Sequence, residues 1–261
     1  MKGFLCKAAI AVIGLGICLG ICLGASHSND LKRWYFERNA DPRQPPAASA
    51  EIDLAAFSAY YLGDTTQKEL YLTFDEGYEN GYTAVILDVL RDKGVPAAFF
   101  VTKTYIRDNP ELICRMIDEG HVVANHTVRH KSSPSLTVAE LEKELRDTAD
   151  FFREQTGHEM PPFFRPPMGE YSARVLAAAQ QAGYNTIFWS FAYKDWLVDA
   201  QPGAAAAHKK IMENLHNGEI MLLHAVSSSN AEALGGVIDA AVEQGYEFKS
   251  LWCLPDIINY E

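Results

Sequence analysis

"LYLTFDEGYENG" (residues 70–81) is an uncharged run of strand-forming residues that ends in two adjacent carboxylates, Asp75 and Glu76, followed at once by glycine. Leu, Tyr, Thr and Phe in close succession suit a buried strand, and Gly77, Asn80 and Gly81 supply the turn that stops it. Two like charges at that point raise the question of what they serve.

Outward from this stretch the same alternation repeats. "AAFFV" (97–101), "HVVAN" (121–125), "FFR" (163–165), "TIFWS" (186–190), "EIMLLH" (219–224) and "EFKSLW" (247–252) read as further strands. Helical periodicity fills 81–93, 109–119, 137–156, 172–182, 204–216 and 229–244. Seven β–α alternations predict a parallel sheet covered by helices, either a closed barrel of seven or eight strands or an open doubly wound sheet. The chain has neither a G-x-G-x-x-G fingerprint nor a P-loop, which favours the barrel.

The N-terminal end differs in kind. Lys2 and Lys7 precede an uncharged apolar run over 8–25, the pattern of an export leader, so residues 1–25 are read as a signal peptide or membrane anchor and the protein as extracytoplasmic. Any membrane contact is expected through that leader alone. Residues 26–68 form an extension expected to pack on the barrel, with "DPRQPPAASA" (41–50) as a spacer and "WYF" (34–36) as a docking patch; the main unit spans 69–256. Three of five cysteines belong to the leader. Cys114 and Cys253 remain, too few for a disulfide framework, and are expected to be buried small hydrophobes. Without the leader the chain carries 21 basic against 34 acidic residues, a formal charge of −13, which excludes nucleic acid as a natural partner.

In a parallel barrel, reacting groups come from the carboxyl ends of strands. Those ends carry Asp75 and Glu76, then "HTVRH" (126–130), "RPPMG" (165–169), "AYKDW" (192–196) and His224. Each has an ordinary explanation by itself. Two acids after a strand serve as a solvated turn, an H-x-x-x-H pair arises by chance, "RPPMG" makes a rigid turn, Trp189, Phe191, Tyr193 and Trp196 fill cores, and a histidine ends a buried strand. Their coincidence at one end of one sheet favours chemistry. Two imidazoles and a carboxylate, His126, His130 and Glu76, suit a divalent metal, with both rings brought to one side of a helical turn. Asp75 is then a candidate general base and Arg165 the cation that keeps it ionised. His224 is a candidate general acid with Asp195 setting its tautomer. Neighbours on a strand point to opposite sides, so one acid can face the metal and the other a water. Tyr78, Trp189, Tyr193, Lys194 and Trp196 are candidates for holding a sugar.

"TFDEGY", "HTVRH", "RPPMG", "KDW" and "LLH", in this order, resemble the five motifs of the polysaccharide deacetylases, the NodB-like carbohydrate esterases of family 4. The resemblance covers roughly 70–252 and implies a distorted (β/α) barrel that removes N-acetyl groups from an amino-sugar polymer with a divalent metal (Zn, Mn or Mg). It implies Asp75 as base, His126, His130 and the Glu76 position as metal ligands, Arg165 as partner of the base, and His224 as acid with Asp195 behind it. "YLGDTTQKELYLTFDEGYENGYT", "SFAYKDW" and "LLHAVSSSNAEAL" look like the delta-lactam-forming N-acetylmuramic acid deacetylases of endospore formers, which act on peptide-free muramic acid in peptidoglycan strands and lead to the muramic delta-lactam of spore cortex. For the lactyl carboxylate of such a substrate, Arg165 or Lys194 is the candidate cation. The chain has Glu76 where the broad family has aspartate and the muramic subgroup commonly asparagine, and Ala192 where the broad family has aspartate but the muramic subgroup does not. Competing expectations are a peptidoglycan or chitooligosaccharide N-acetylglucosamine deacetylase and, from another class, a catalytically silent glycan-binding protein.

Overall fold

The computed structural model describes residues 27–48 and 51–257. The leader predicted over 1–25 lies outside the described residues. First come β1 (Lys32–Arg33), β2 (Phe36–Glu37), β3 (Ala47–Ala48) and β4 (Ala59–Tyr60). The alternating part runs β5 (Glu69–Glu76), α1 (Thr83–Lys93), β6 (Ala98–Val101), α2 (Lys103–Asp108), α3 (Pro110–Asp118), β7 (Val122–Asn125) and α4 (Val138–Thr156). It continues with β8 (Phe163–Phe164), β9 (Glu170–Tyr171), α5 (Ala173–Gln181), β10 (Asn185–Ile187), β11 (Phe191–Ala192), α6 (Ala204–Met212), β12 (Glu219–His224), α7 (Ser228–Glu243) and β13 (Glu247–Phe248).

Eight strands make one sheet in the order β11-β12-β5-β6-β7-β8-β10-β4, every neighbouring pair parallel, with β13 beside the start of β5. Chain length alone requires this sheet to curl. In a flat sheet β10 and β11 would stand six strand spacings apart, about 29 Å. Only residues 188–190 join them, and four residue steps span at most about 14 Å. The edges therefore meet, and the architecture is a distorted (β/α) barrel.

The expected strand "TIFWS" is broken by that closure. Its first half lies in β10, and residues 188–190 cross the seam, where Phe188 N–H donates to the Tyr60 carbonyl (2.7 Å) and Ser190 N–H to the Ile220 carbonyl (2.9 Å). The extension over 26–68 contributes β4, one of the two edge strands of the sheet, and its Trp34 and Leu54 pack with Tyr171, Leu176 and Phe188.

Alternation along β5 sorts its side chains into two layers. Leu70, Leu72 and Phe74 join the apolar layer beneath α1 and α7, whereas Tyr71 joins Ala98, Phe100, Ala124 and Ile220 inside the barrel. Burying each large apolar side chain contributes roughly 1.5–3 kcal/mol. Helix α4 starts with a reciprocal cap. Thr137 Oγ1 accepts the Glu140 N–H at 3.2 Å while a Glu140 carboxylate oxygen accepts the Thr137 N–H at 2.8 Å.

Cys114 and Cys253 are free and exposed, not the buried small hydrophobes expected. Neighbouring Ile113 and Met116 take the buried face of α3, and Leu251 takes the buried side of the last turn, so each thiol is left facing water.

Candidate active site

Asp75 lies on the barrel-facing side of β5, and Arg165 reaches it from the end of β8. The guanidinium is completely buried and every side of it is engaged. Nη1 donates to Asp75 Oδ1 (2.8 Å) and Thr73 Oγ1 (2.9 Å), Nε to the Ile187 carbonyl (3.0 Å) and Nη2 to the Phe188 carbonyl (3.3 Å), with the Phe100 ring 4.1 Å from the carbon of the fork. Burial pushes the Asp75 carboxyl up. The charges of Arg165 and the neighbouring imidazoles, with the Arg165 hydrogen bond, outweigh it and hold Asp75 below the usual carboxylate range.

His126 follows β7. Its Nδ1 sits 2.8 Å from the Arg165 carbonyl, which can only accept, so Nδ1 carries the hydrogen and Nε2 the lone pair. Nε2 has no hydrogen-bond partner and faces Asp75 Oδ2 at 3.6 Å. Burial pushes the ring's pKa down to about 4, so it is neutral at pH 7. His130 stands edge-on to it, ring centroids 4.8 Å apart.

No helical turn brings these rings together. Residues 126–130 form a loop in which Thr127 (φ 69°) and His130 (φ 55°) are both left-handed, a conformation costly for a β-branched residue. Local bonds fix it. Asn125 Oδ1 accepts the Thr127 N–H (2.9 Å), Thr127 Oγ1 the His130 N–H (3.2 Å), and Glu144 Oε2 on α4 the N–H groups of Val128 (2.8 Å) and Arg129 (3.3 Å).

Across the cleft, His224 ends β12. Asp195, fully buried, accepts from its Nδ1 at 2.7 Å and from its main-chain N–H at 2.8 Å, and Asn230 Nδ2 donates to the same carboxylate at 2.6 Å. Burial lowers the pKa of His224. The hydrogen bond and charge of Asp195, with the charge of Asp75, reverse that, and the net shift is upward. Trp196 tilts against the ring at 5.4 Å.

These groups open onto a cleft of about 580 Å³, whose lining includes Asp75, Tyr78, His126, His130, Met168, Trp189, Trp196 and His224. Arg165 and Asp195 lie behind the lining as supports. Three expected residues are elsewhere. Lys194 is exposed outside the cleft. Tyr193 packs on the core and hydrogen-bonds Asn230, so it buttresses Asp195 from behind. Glu76 is turned by the alternation of β5 into the helix layer, completely buried near Glu79 and Tyr105, with neither carboxyl oxygen hydrogen-bonded. Burial and the charges of Glu79 and Asp75 push its pKa well up. Sequence reasoning missed Met168, Leu222 and Val226 in the lining and Asn230 behind it. An asparagine in the first turn of the helix that follows "LLH" was the available signal for the last.

The sequence profile of the polysaccharide deacetylases matches residues 62–187. The peptidoglycan-N-acetylmuramic acid deacetylase PdaA of Bacillus subtilis is 39% identical over 95% of this chain and 92% of its own length. The chain belongs to the polysaccharide deacetylase family. The structure of B. subtilis PdaA, a family 4 carbohydrate esterase, superposes with a TM-score of 0.84 at 41% identity, covering 87% of this chain and 97% of that one. An uncharacterised 30.6 kDa protein of Geobacillus stearothermophilus is 45% identical over 88% of this chain and 87% of its own length. A peptidoglycan-N-acetylglucosamine deacetylase of Bacillus cereus is 32% identical over 70% of this chain and 85% of its own length. As a family 4 deacetylase the chain is a hydrolase of amide C–N bonds.

Deacetylases of this family are generally metal-dependent. Two residues here fit a divalent cation. His126 presents an unpartnered, buried Nε2 in the tautomer a metal requires, and His130 stands beside it. Glu76 does not fit as the third ligand, and among the described residues no group of three His, Cys, Asp or Glu side chains converges on one point.

Proposed function

We propose that this chain is an exported peptidoglycan deacetylase that hydrolyses the N-acetyl amide of peptide-free N-acetylmuramic acid, on the way to muramic delta-lactam. The observation that carries the substrate assignment is the reach of the similarity to PdaA. At 95% of the chain it leaves too few residues out to miss the N-terminal extension, whereas the match to the N-acetylglucosamine deacetylase covers 70%.

The side chains take complementary roles. Asp75, kept ionised by Arg165, accepts a proton from the attacking water. His224, kept protonated by Asp195, gives one to the departing amine. Trp189, Trp196 and Tyr78 offer flat apolar surfaces to the sugar rings on either side of the reacting group. His126 and His130 would hold a divalent cation, which would supply Lewis acidity toward the amide carbonyl.

One observation favours N-acetylglucosamine as a second reading. Among the described residues, none that lines the cleft is lysine or arginine. Arg165 is completely buried with four of its five donors on Asp75, Thr73 and main-chain carbonyls, and Lys194 is exposed and not among the lining residues, so neither lines the cleft to meet a lactyl carboxylate as expected from the sequence.

Acetate release by the purified enzyme decides between them. It should be followed on peptide-stripped peptidoglycan and on chitohexaose, after chelation and after adding back Zn²⁺, Mn²⁺ or Mg²⁺, with mass analysis of the glycan products. Metal-restored release confined to muramic residues supports the proposal. Release from chitohexaose alone favours the second reading, and glycan binding without release under any metal overturns both.

A further inference from the structure

Residues 32–34 lie outside the stretch matched by the family profile, and none of them lines the cleft. Strand β1 pairs antiparallel with β9, Lys32 opposite Tyr171 and Arg33 opposite Glu170, which lays this part of the extension along the turn that follows Arg165. Trp34 comes next. It is 5% exposed, and it donates two hydrogen bonds to the cleft wall, from its main-chain N–H to the Gly169 carbonyl (2.8 Å) and from its indole Nε1–H to the Trp189 carbonyl (2.9 Å).

The indole is stacked on Phe188 with ring centroids 4.6 Å apart and planes 20° from parallel. Gly169, at φ +64°, leaves no room for a side chain, because a Cβ there would sit 2.8 Å from the Trp189 ring and 3.2 Å from Trp34 Cβ. Trp34, Gly169 and Trp189 therefore interlock. Gly169 and Trp189 line the cleft, as does Met168, left-handed at φ 59° in the turn between Arg165 and Gly169. The Phe188 carbonyl in turn accepts from Arg165, the partner of Asp75.

We propose that Trp34 is a positioning residue for the glycan, reaching in from the extension to fix both the Met168–Gly169 turn and the Trp189 wall against which the sugar lies. The inference rests on the deacetylase reading of the cleft. A tryptophan that only filled space would add stability and leave substrate affinity alone. One that holds the wall changes KM more than kcat, because the reacting groups Asp75 and His224 stand on other strands.

The test uses the full chain. Trp34→Phe keeps the stack on Phe188 but loses the donor to the Trp189 carbonyl, and Val237→Ala, on α7 in the outer layer, is a packing control whose side chain is remote from the cleft. Kinetics of acetate release from peptide-stripped peptidoglycan give KM and kcat. Calorimetry with the same glycan, each variant combined with Asp75→Asn to prevent turnover, gives Kd. Trp34→Phe is expected to raise KM and Kd by about tenfold, the worth of a lost buried hydrogen bond, with a smaller change in kcat, while Val237→Ala lowers the melting temperature and leaves KM and Kd alone. Parental KM and Kd in Trp34→Phe, or an equal rise in Val237→Ala, overturns the inference. If the parent releases no acetate, the deacetylase reading fails by itself, and the calorimetric comparison still decides the role of Trp34.

Discussion

At the scale of single residues, Asp75 and Glu76 show how one step along a strand separates two chemistries. Odd positions of β5 enter the barrel and meet Arg165, while even positions enter the helix layer, so the two acids occupy environments that push their pKa values in opposite directions. Asp75→Asn is expected to reduce acetate release by about 10²–10⁴-fold with an unchanged circular dichroism spectrum. With Asp75 as the proposed base and His224 as the proposed acid, activity needs Asp75 ionised and His224 protonated. The acid limb of kcat/KM therefore falls below the usual carboxylate range, and the alkaline limb lies above the usual imidazole value. In Asp195→Asn, burial of His224 acts without its counterion, so the alkaline limb moves to lower pH as the rate drops. A pH profile with that limb unmoved would show that His224 is not the acid. Glu76→Gln is expected to leave Zn²⁺ or Mn²⁺ affinity, read by calorimetry, at the parental value, whereas His126→Ala lowers it.

At the scale of elements, the loop after β7 depends on a helix. Val128 and Arg129 hang their N–H groups on Glu144 of α4, which offsets the cost of two left-handed residues in a five-residue span. Glu144→Ala releases that hold and is expected to weaken metal binding by about 10–100-fold, the usual effect of removing a group that orients a ligand. Thr137→Ala on the same helix removes only the cap. Its expected cost is about 1 kcal/mol and a melting temperature lower by about 2–4 °C, with metal affinity unchanged. Equal effects of the two substitutions on metal affinity would mean that α4 matters to the loop only through its stability. The helix itself was legible in the sequence, because Thr137 and Glu140 announce its start and apolar periodicity marks its buried face. Its bond to the histidine loop was not, since no pattern along the chain ties Glu144 to Val128.

At the scale of the whole molecule, the alternation of apolar runs with helical stretches was enough to read a parallel barrel, and the polar residues ending those runs were enough to read Asp75, His126, His130, Arg165, Asp195 and His224 as neighbours. The seam escaped because residues 188–190 are as strand-like as the strands they join, and Trp34 was legible only as part of a docking patch, because the cleft-wall partners it docks on, Gly169 and Trp189, lie more than a hundred positions along the chain. Net charge is the one global property read directly from composition, and it has a consequence for substrate. The full chain carries a formal charge of −11, and peptide-free muramic glycan is a polyanion, so the two repel each other on approach, while chitohexaose is uncharged. At an ionic strength of about 0.01 M the repulsion reaches roughly 30 Å, and at about 0.15 M only roughly 8 Å. With no lysine or arginine among the described residues of the lining to capture the lactyl groups at short range, kcat/KM on muramic glycan should rise with added NaCl over that interval, and the value on chitohexaose, where measurable, should stay flat. A fall with salt on muramic glycan would instead reveal a cationic contact with the strand, placing it beyond the cleft, with the exposed Lys194 as the first residue to replace.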